Sequence, residues 1–387
     1  MKKKTIFGIS FLILFLFLAA CGQKYDDESD FRVAPVNDGK AVEIASYVGG
    51  KQTVNIPPRI NNLPVTSIGE EAFFDLELIN VTIPNSVTSI GTNAFFNNLF
   101  TNINLPNTIV EIGNGVFMNC TKLTRITIPS KVTSINFTAF AGCLSLTEII
   151  IPSSVTTIEP LAFASCTSLT NIRIPSSVIT IESNAFQDCS SLSSIIIPSS
   201  VTTIGSSAFE GCSSLSSIII PSSITTIEAL TFSDCTNLSS VSIPSNVTSI
   251  EAGAFYNCSN LTNIIIPSSV TFIGHSTFLG CTSLTNISIP SSVTTIEGNA
   301  FQGCSSLSTV LIPSSITTIE SGAFWGCSNL TSITIPSSVR SLGGGVFYNW
   351  TSSQTINIEG YANQAAADRA WGIEWRARCN ARINYRG

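Results

Sequence analysis

A period of 23 residues runs through most of this chain and constrains its fold more than any other sequence feature. Prolines recur at this spacing from Pro129 to Pro336, and phenylalanines and ten cysteines keep it too, the cysteines from Cys120 to Cys327. Periods of roughly 20 to 50 residues are typical of solenoids, in which each repeat forms one layer of a stack. The sequence therefore predicts one elongated body rather than the two or three compact domains that 387 residues would otherwise suggest.

The repeat at residues 146–166 shows how one layer is expected to fold. Its inward set comprises Leu146, Ile149, Ile151, Val155, Ile158, Ala162, Phe163 and Cys166. Side chains at alternate positions of a strand share one face, and Pro152 ends the first strand because it offers no N–H to a ladder. Glu159 is expected to open a short helical turn, where a carboxylate suits free N–H groups. A single layer cannot bury this set, so stacked copies must cover one another.

The consensus I-P-S-S-V-T-x-I-x-x-x-A-F-x-x-C-x-x-L-x-x-I-x-I-P resembles the BspA-like leucine-rich repeat of bacterial surface proteins, over about 300 of the 387 residues. It departs from commoner leucine-rich repeats, in which Asn follows LxxLxL, because Pro-Ser-Ser stands here instead. The resemblance implies a β-rich, right-handed superhelix of about thirteen repeats. It also implies adhesion through the strand side to host matrix or plasma proteins, or to other bacterial surface proteins.

Composition shifts divide the chain into five predicted parts. Residues 1–20 form a signal peptide, 21–30 a polar and acidic tether, 31–56 an N-terminal cap, 57–358 the repeats, and 359–387 a C-terminal cap. Alternating apolar residues in the N-terminal cap predict strands, and the end layers of a solenoid need such covers.

The N-terminus predicts attachment to a membrane. Lys2 to Lys4 precede an apolar run from Ile6 to Leu18, and Leu-Ala-Ala-Cys follows, which resembles a bacterial lipobox ending at Cys21. Acyl chains on Cys21 would anchor the protein in the bacterial cell envelope, and the acidic run that follows resembles a signal for the outer cell surface. An ordinary secretory peptide with a chance cysteine is the alternative.

Three features invite a chemical reading. The cysteine column could form disulfides or bind metal, but no CxxC pair occurs, and buried thiols serve equally well as packing residues. Cys379 stands outside the column.

Glu recurs in adjacent-repeat pairs separated by Gly205, Gly274 and Gly343. This pattern is compatible with a catalytic carboxylate pair, with a shallow calcium site, or with turns in which glycine keeps like charges apart. His275 is the single histidine. These features predict neither an enzyme nor a cofactor, and no catalytic set is assigned.

The outward strand positions are the remaining candidates. The predicted ligand contacts are Ile150, Arg173, Ile196, Ile219, Ile265 and Leu311. Exposed apolar residues rimmed by Ser and Asn are typical of interaction surfaces, although β-branched residues also simply suit strands. A structural or self-associating coat protein and a glycan- or nutrient-capture lipoprotein are the rival functions. A net charge of −6 without basic clusters in the repeats argues against nucleic acid.

Overall fold

The computed structural model describes residues 25–387, so the predicted signal peptide and Cys21 lie outside the described part. Within it the chain is a β-solenoid of about 15 turns with a period near 23 residues. The predicted fold class is confirmed, and the turn count exceeds the expected thirteen. The excess arises because the cap segments add layers of their own. Strand Ala41–Tyr47 pairs in parallel with the layer after it, and strand Arg382–Arg386 pairs in parallel with the layer before it.

The described strands are short, and two 3-10 turns (Glu28–Asp30 and Glu374–Arg376) and one helix, α1 (Gln364–Trp371), lie near the ends. The strands are β1 (Phe31–Val36), β2 (Ala41–Tyr47), β3 (Thr53–Asn55), β4 (Arg59–Ile60), β5 (Leu63–Ile68), β6 (Asn80–Thr82), β7 (Ser89–Ile90), β8 (Glu111–Ile112), β9 (Arg125–Thr127), β10 (Ser134–Ile135), β11 (Glu148–Ile150), β12 (Thr157–Ile158), β13 (Asn171–Arg173), β14 (Thr180–Ile181), β15 (Ser194–Ile196), β16 (Thr203–Ile204), β17 (Ser217–Ile219), β18 (Thr226–Ile227), β19 (Ser240–Ser242), β20 (Ser249–Ile250), β21 (Asn263–Ile264), β22 (Phe272–Ile273), β23 (Asn286–Ser288), β24 (Thr295–Ile296), β25 (Thr309–Leu311), β26 (Thr318–Ile319), β27 (Ser332–Ile335), β28 (Ser341–Leu342), β29 (Thr355–Glu359) and β30 (Arg382–Arg386).

These strands build two parallel ladders along the stack. In the first ladder, Ile149 of β11 pairs with Ile126 of β9, one repeat earlier. In the second ladder, Ile158 of β12 pairs with Ile135 of β10 in the same way. All eight residues of the inward set predicted for residues 146–166 are buried. The sequence period therefore equals one full turn of the solenoid, and each core position lies over its own copy.

The third side of each layer is a stack of tight turns rather than the short helical turn predicted after Glu159. Leu161 and Ser165 have φ angles of 59° and 58°, in the left-handed region that a right-handed helix cannot use. The Ser165 N–H donates to the Gln187 carbonyl of the next layer at 2.7 Å. Hydrogen bonds between layers thus alternate with bonds inside the turn, such as that from the Cys166 N–H to the Phe163 carbonyl at 3.1 Å.

A column of stacked phenylalanines fills the core beside these turns. The ring centroids of Phe163 and Phe186 lie 5.3 Å apart, with their planes 12° from parallel. The cysteines line the same side of the core, and the Cys166 thiol donates to the Phe140 carbonyl at 3.2 Å. Each ring is therefore covered on both faces by its copies in the neighbouring layers, which is where its burial comes from.

At the N-terminal end, acidic residues close the edge of the first ladder. The Asn55 N–H of β3 donates to Asp26 Oδ2 at 2.7 Å, and the Asp26 N–H donates to the Asn55 carbonyl at 3.0 Å. Glu28 Oε2 accepts from the Asn61 N–H at 2.8 Å. The predicted tether of residues 21–30 is therefore corrected: from Asp26 onward it is part of the folded body, because its polar groups satisfy the outer edge of β3.

Tryptophans seal the C-terminal end. Trp350 occupies the place of the repeat cysteine and donates its indole N–H to the Phe324 carbonyl at 2.9 Å. Trp375 is buried and meets the last ring of the column, Phe347, edge-on at 6.4 Å. Among residues 25–387, no helix has the length and apolar character that crossing a bilayer requires.

Removing one ring of the phenylalanine column should destabilise the protein strongly. Phe209 is fully buried between Phe186 and Phe232, at centroid distances of 5.4 and 5.7 Å. Phe209→Ala leaves a cavity that two neighbouring layers cannot fill, so we expect a loss of about 3–5 kcal/mol in the free energy of unfolding. Urea denaturation measures it. The exposed Ile219→Ser should change that energy by less than about 0.5 kcal/mol, and equal losses in both variants would contradict the core assignment.

Candidate ligand-binding face

The outward side of the first ladder, here called the strand face, carries two columns of exposed side chains. The first column is polar and comprises Arg125, Glu148, Asn171, Ser194, Ser217, Ser240, Asn263, Asn286, Thr309 and Ser332. The second is mixed and comprises Thr127, Ile150, Arg173, Ile196, Ile219, Ser242, Ile265, Ser288, Leu311 and Thr334. All of these side chains are exposed, as the alternation along each strand predicts.

The aliphatic members of the second column are exposed to an unusual degree. Ile196, Ile219, Ile265 and Leu311 are 83%, 74%, 76% and 77% exposed, while Ile150 is 44% exposed. If a partner covered one of these large aliphatic side chains, the transfer from water would contribute about 1.5–3 kcal/mol to binding. The aliphatic residues of the second column therefore offer apolar surface that the fold itself leaves exposed.

The structure brings four of the six predicted contact residues together in consecutive layers. Ile150, Arg173, Ile196 and Ile219 follow one another along β11, β13, β15 and β17. Ser242 separates this group from Ile265, and Ser288 separates Ile265 from Leu311. The predicted stripe is thus one continuous patch followed by two isolated aliphatic side chains.

Open grooves flank this patch. One groove of about 590 Å³ lies beside Ile196 and Ile219 and is also lined by Ser199, Ser222 and Pro244. A neighbouring groove of about 530 Å³ is lined by Glu148, Ile150, Asn171, Arg173 and Ser153 among others. The groove beside Ile196 and Ile219 is therefore mainly aliphatic, whereas the groove beside Glu148 and Arg173 carries charged side chains. Such a combination suits an extended partner better than a small enclosed ligand.

Charge on the strand face is sparse and weakly paired. Arg125 and Glu148 form an ion pair at 3.3 Å, but both side chains are more than half exposed. Exposed pairs of this kind contribute little to stability, because water screens them. Both charges therefore stay available to a partner.

Sequence reasoning missed a column of hydroxyls that borders the strand face. The Thr124 hydroxyl donates to the Thr101 carbonyl of the preceding layer at 2.8 Å, and Thr147 donates to Thr124 at 3.1 Å. The position is Ser or Thr in ten successive repeats: Thr124, Thr147, Thr170, Ser193, Ser216, Ser239, Thr262, Thr285, Ser308 and Thr331. The recurrence of Ser or Thr at this position is the sequence signal that could have predicted these hydrogen bonds between layers. These bonds tie adjacent layers together and hold the face rigid.

The glycines that interrupt the glutamate column have a steric role, which none of the three readings of that column included. A Cβ atom on Gly205 would lie 2.4 Å from the Ser183 backbone nitrogen of the preceding layer, and one on Gly343 would lie 2.3 Å from the Ser321 nitrogen. Glycine is therefore required where the backbones of two layers approach this closely.

One glutamate pair is electrostatically perturbed. Burial, and then the nearby Glu320 carboxylate, raise the pKa of Glu297 above its usual value. Glu320 Oε2 accepts from the Gly298 N–H at 3.0 Å, which fixes its position. Within residues 25–387 no three side chains of His, Cys, Asp and Glu come together in a group that could hold a metal ion.

The ten repeat cysteines are buried free thiols in the structure. Burial raises the pKa of Cys120 and of Cys189 to about 12, and it raises that of Cys166 well above its usual value. Such thiols stay protonated and unreactive at neutral pH. Cys379, outside the column, is half-buried, and burial raises its pKa as well.

His275 links two layers on the turn side. Its Nδ1 atom lies 2.7 Å from the Ser276 hydroxyl, and its Nε2 atom lies 3.3 Å from Asn299 Nδ2. In the described part of the chain these are the hydrogen bonds that its ring makes. Both partners are neutral side chains of the turns, and Asn299 belongs to the next layer, so the ring ties two neighbouring layers together.

The two ladders, the inward set and the period together define a leucine-rich repeat solenoid. The sequence profile described as "BspA type Leucine rich repeat region (6 copies)" matches residues 52–170, 158–284 and 248–366. The chain belongs to this BspA-type leucine-rich repeat family. No relative was found among functionally curated proteins.

Several solved structures are similar to this one. A leucine-rich repeat protein from Bacteroides ovatus is 26% identical, with a TM-score of 0.67, over 94% of this chain and 100% of the other. A leucine-rich cell surface protein from Faecalibacterium prausnitzii is 27% identical, with a TM-score of 0.57, over 94% of each chain. The pneumococcal vaccine antigen PcpA is 17% identical, with a TM-score of 0.52, over 90% of this chain and 82% of the other, and it shares the fold alone.

The buried thiols predict how stability depends on pH. Their folded-state pKa is raised, so each stays neutral in the folded protein while the unfolded chain ionises it above about pH 8.5. The stability that each neutral buried thiol contributes is fully present below that pH and is lost as pH rises toward 12. Above it, each thiol should add up to about 1.4 kcal/mol per pH unit to the decrease in the free energy of unfolding. Denaturant unfolding from pH 7 to 10.5 under reducing conditions should therefore show a smaller decrease in that free energy for Cys189→Ala than for the parent. Identical slopes would contradict the assignment.

Proposed function

We propose that this protein is a non-enzymatic, adhesin-like binding protein of the bacterial surface, which engages macromolecules through the strand face. The observation that carries the proposal is the aliphatic patch of Ile150, Ile196 and Ile219, which stands exposed on a rigid sheet with a polar border. Exposed apolar patches rimmed with polar groups mark interaction sites on soluble proteins.

The comparisons support this reading at a coarser level. The family is a repeat scaffold, and a similar structure from Faecalibacterium prausnitzii is described as a leucine-rich cell surface protein. Host matrix proteins, plasma proteins and surface proteins of other bacteria are the proposed partners. A long face of low charge would bind them through many weak contacts summed over the layers.

The proposed place of action is the bacterial cell envelope, with Cys21 lipidated and the solenoid exposed at the surface. Because acidic residues from Asp26 cover the first layer, the anchor would join the body at its N-terminal end. The strand face would then run away from the membrane and stay accessible along its length.

Self-association is the second candidate function, because the same aliphatic patch could meet its copy on another molecule. Concentration-dependent molar mass distinguishes the two. A self-associating coat protein would show a molar mass that rises with concentration in the parent, whereas I150S/I196S/I219S/I265S would keep the mass of a monomer. Glycan capture has less support, since the two columns of the strand face contain no aromatic side chains.

Replacing the aliphatic patch together with the isolated Ile265 should abolish binding without unfolding the protein. The soluble chain from residue 22 onward would be screened against matrix proteins, plasma proteins and surface extracts of other bacteria. We expect the parent to bind and I150S/I196S/I219S/I265S to bind at least about tenfold more weakly, because the contact loses several exposed aliphatic side chains.

A control for that screen is V110S/I179S, which removes two exposed aliphatic side chains that directly precede strands β8 and β14 of the second ladder. Val110 and Ile179 are both 49% exposed. Binding should survive in this control. Equal loss in both variants would place the site elsewhere, and a parent that binds nothing would remove the proposal's basis.

Cys21→Ala should release the protein from the membrane. If Cys21 carries acyl chains, the parent expressed in a bacterium that processes lipoproteins should enter the detergent phase on Triton X-114 partitioning, because two or more chains give stable anchoring. The variant should enter the aqueous phase or stay unprocessed. Mass spectrometry of the mature N-terminus checks the modification directly, and an unmodified N-terminus in the parent would contradict the lipidation.

A further inference from the structure

The two ends of the first ladder differ in how their edges are closed. At the N-terminal end, the Asp26 backbone and carboxylate bond to Asn55 and so cover β3. At the C-terminal end, β30 is the last strand of the sheet β27-β29-β30, and no other strand of the described part pairs with its outer edge. An uncovered edge offers backbone groups to an added strand.

The orientation of β30 shows which groups are offered. The Arg382 N–H donates to the Gln354 carbonyl, and the Arg386 carbonyl accepts from Gly360, so these residues turn their backbone groups inward to the stack. Alternation along a parallel strand turns the N–H and carbonyl groups of Ile383 and Tyr385 to the open side. The outer edge of β30 therefore presents two backbone N–H donors and two carbonyl acceptors, those of Ile383 and Tyr385.

The side chains of β30 set the chemistry that would pair with this edge. Arg382, Asn384 and Arg386 are exposed on the strand-face side, while Ile383 and Tyr385 are partly buried toward the core. In a strand added beside β30, one set of alternate side chains would lie beside the arginines and the other beside Ile383 and Tyr385.

Charge near this edge favours an acidic partner. Residues 359–387 hold five arginines against three acidic residues, in a chain with a net charge of −6. One of the three acids, Asp368, is already bound by Arg376 at 2.8 Å. Another, Glu359, lies beside Arg386 in the strand register, whereas Arg382 lies beside the uncharged Thr355.

We infer that the outer edge of β30 binds an extended segment of an acidic polypeptide, in which acidic and apolar residues alternate. The segment adds as the next strand of the first ladder. Its backbone bonds to Ile383 and Tyr385, its carboxylates lie beside Arg382 and Arg386, and its apolar side chains extend the core-facing side. This site is separate from the aliphatic patch and does not depend on the proposed function of that patch.

The probe is a fluorescein-labelled peptide of alternating glutamate and valine, titrated with the soluble chain from residue 22 onward and followed by fluorescence anisotropy. We expect saturable binding that weakens with added salt, since charge pairs contribute to it. R382E/R386E should weaken it at least tenfold, because both side chains are exposed and their reversal repels the carboxylates. The matched control K122E/K131E makes the same change in net charge on exposed repeat residues and should bind like the parent.

A second variant tests the backbone contacts. Ile383→Pro removes an N–H from the open edge without removing a bond to β29, so it should weaken binding at least fivefold while the circular dichroism spectrum stays unchanged. I150S/I196S/I219S/I265S should bind the peptide normally. Undetectable binding by the parent would mean that the arginines only guard an edge strand, which overturns the proposal. Equal affinity in R382E/R386E would overturn it too, as would a parent that oligomerises through this edge in place of binding peptide.

Discussion

Every layer of this solenoid depends on contact with the layers beside it, because no repeat can bury its own apolar side chains. Phe163 is covered by rings on both faces, and the Cys166 thiol bonds to a carbonyl of the preceding layer. Even the tight turns hydrogen-bond to the next layer. Stability is therefore built from nearest-neighbour terms, and the ends need covers of a different kind. Asp26 and Trp375 provide those covers through hydrogen bonds at one end and an aromatic seal at the other.

This arrangement separates the residues that fold the chain from those available for binding. Inward positions repeat with little change, since each must fit its copies above and below. Outward positions of the first ladder range from Arg173 to Ile196 to Ser242 without altering the ladder. Hydroxyl bonds such as Thr124 to Thr101 hold this face rigid, so a partner meets a preorganised surface. A binding surface can thus change at almost no cost to the fold.

The period predicted the solenoid, its inward set and the exposure of Ile196, because these follow from repetition and from alternation along a strand. It did not predict the turns. The residue before each repeat cysteine has a left-handed φ and is Gly, Asn or Asp in every repeat except at Ser165, and this signal was missed. The covering role of Asp26 was also missed, because an acidic tail resembles a tether until its contacts are seen. The steric role of Gly205 depends on how closely two layers approach, which sequence spacing does not give. The repeat pattern is set by the inward residues, which a ligand would not contact, so the pattern does not identify the ligand.

The most direct test of interlayer stacking is a pair of internal deletions compared by circular dichroism and denaturant unfolding. Deleting residues 190–212 removes one period and rejoins Cys189 to Ser213 in register. Deleting residues 190–201 removes about half a period and misaligns every inward column beyond the join. Stacking predicts a cooperatively folded protein after the first deletion, with a smaller denaturant dependence because one layer fewer unfolds. It predicts a collapsed or aggregated chain after the second. Similar behaviour of the two deletions would contradict the account.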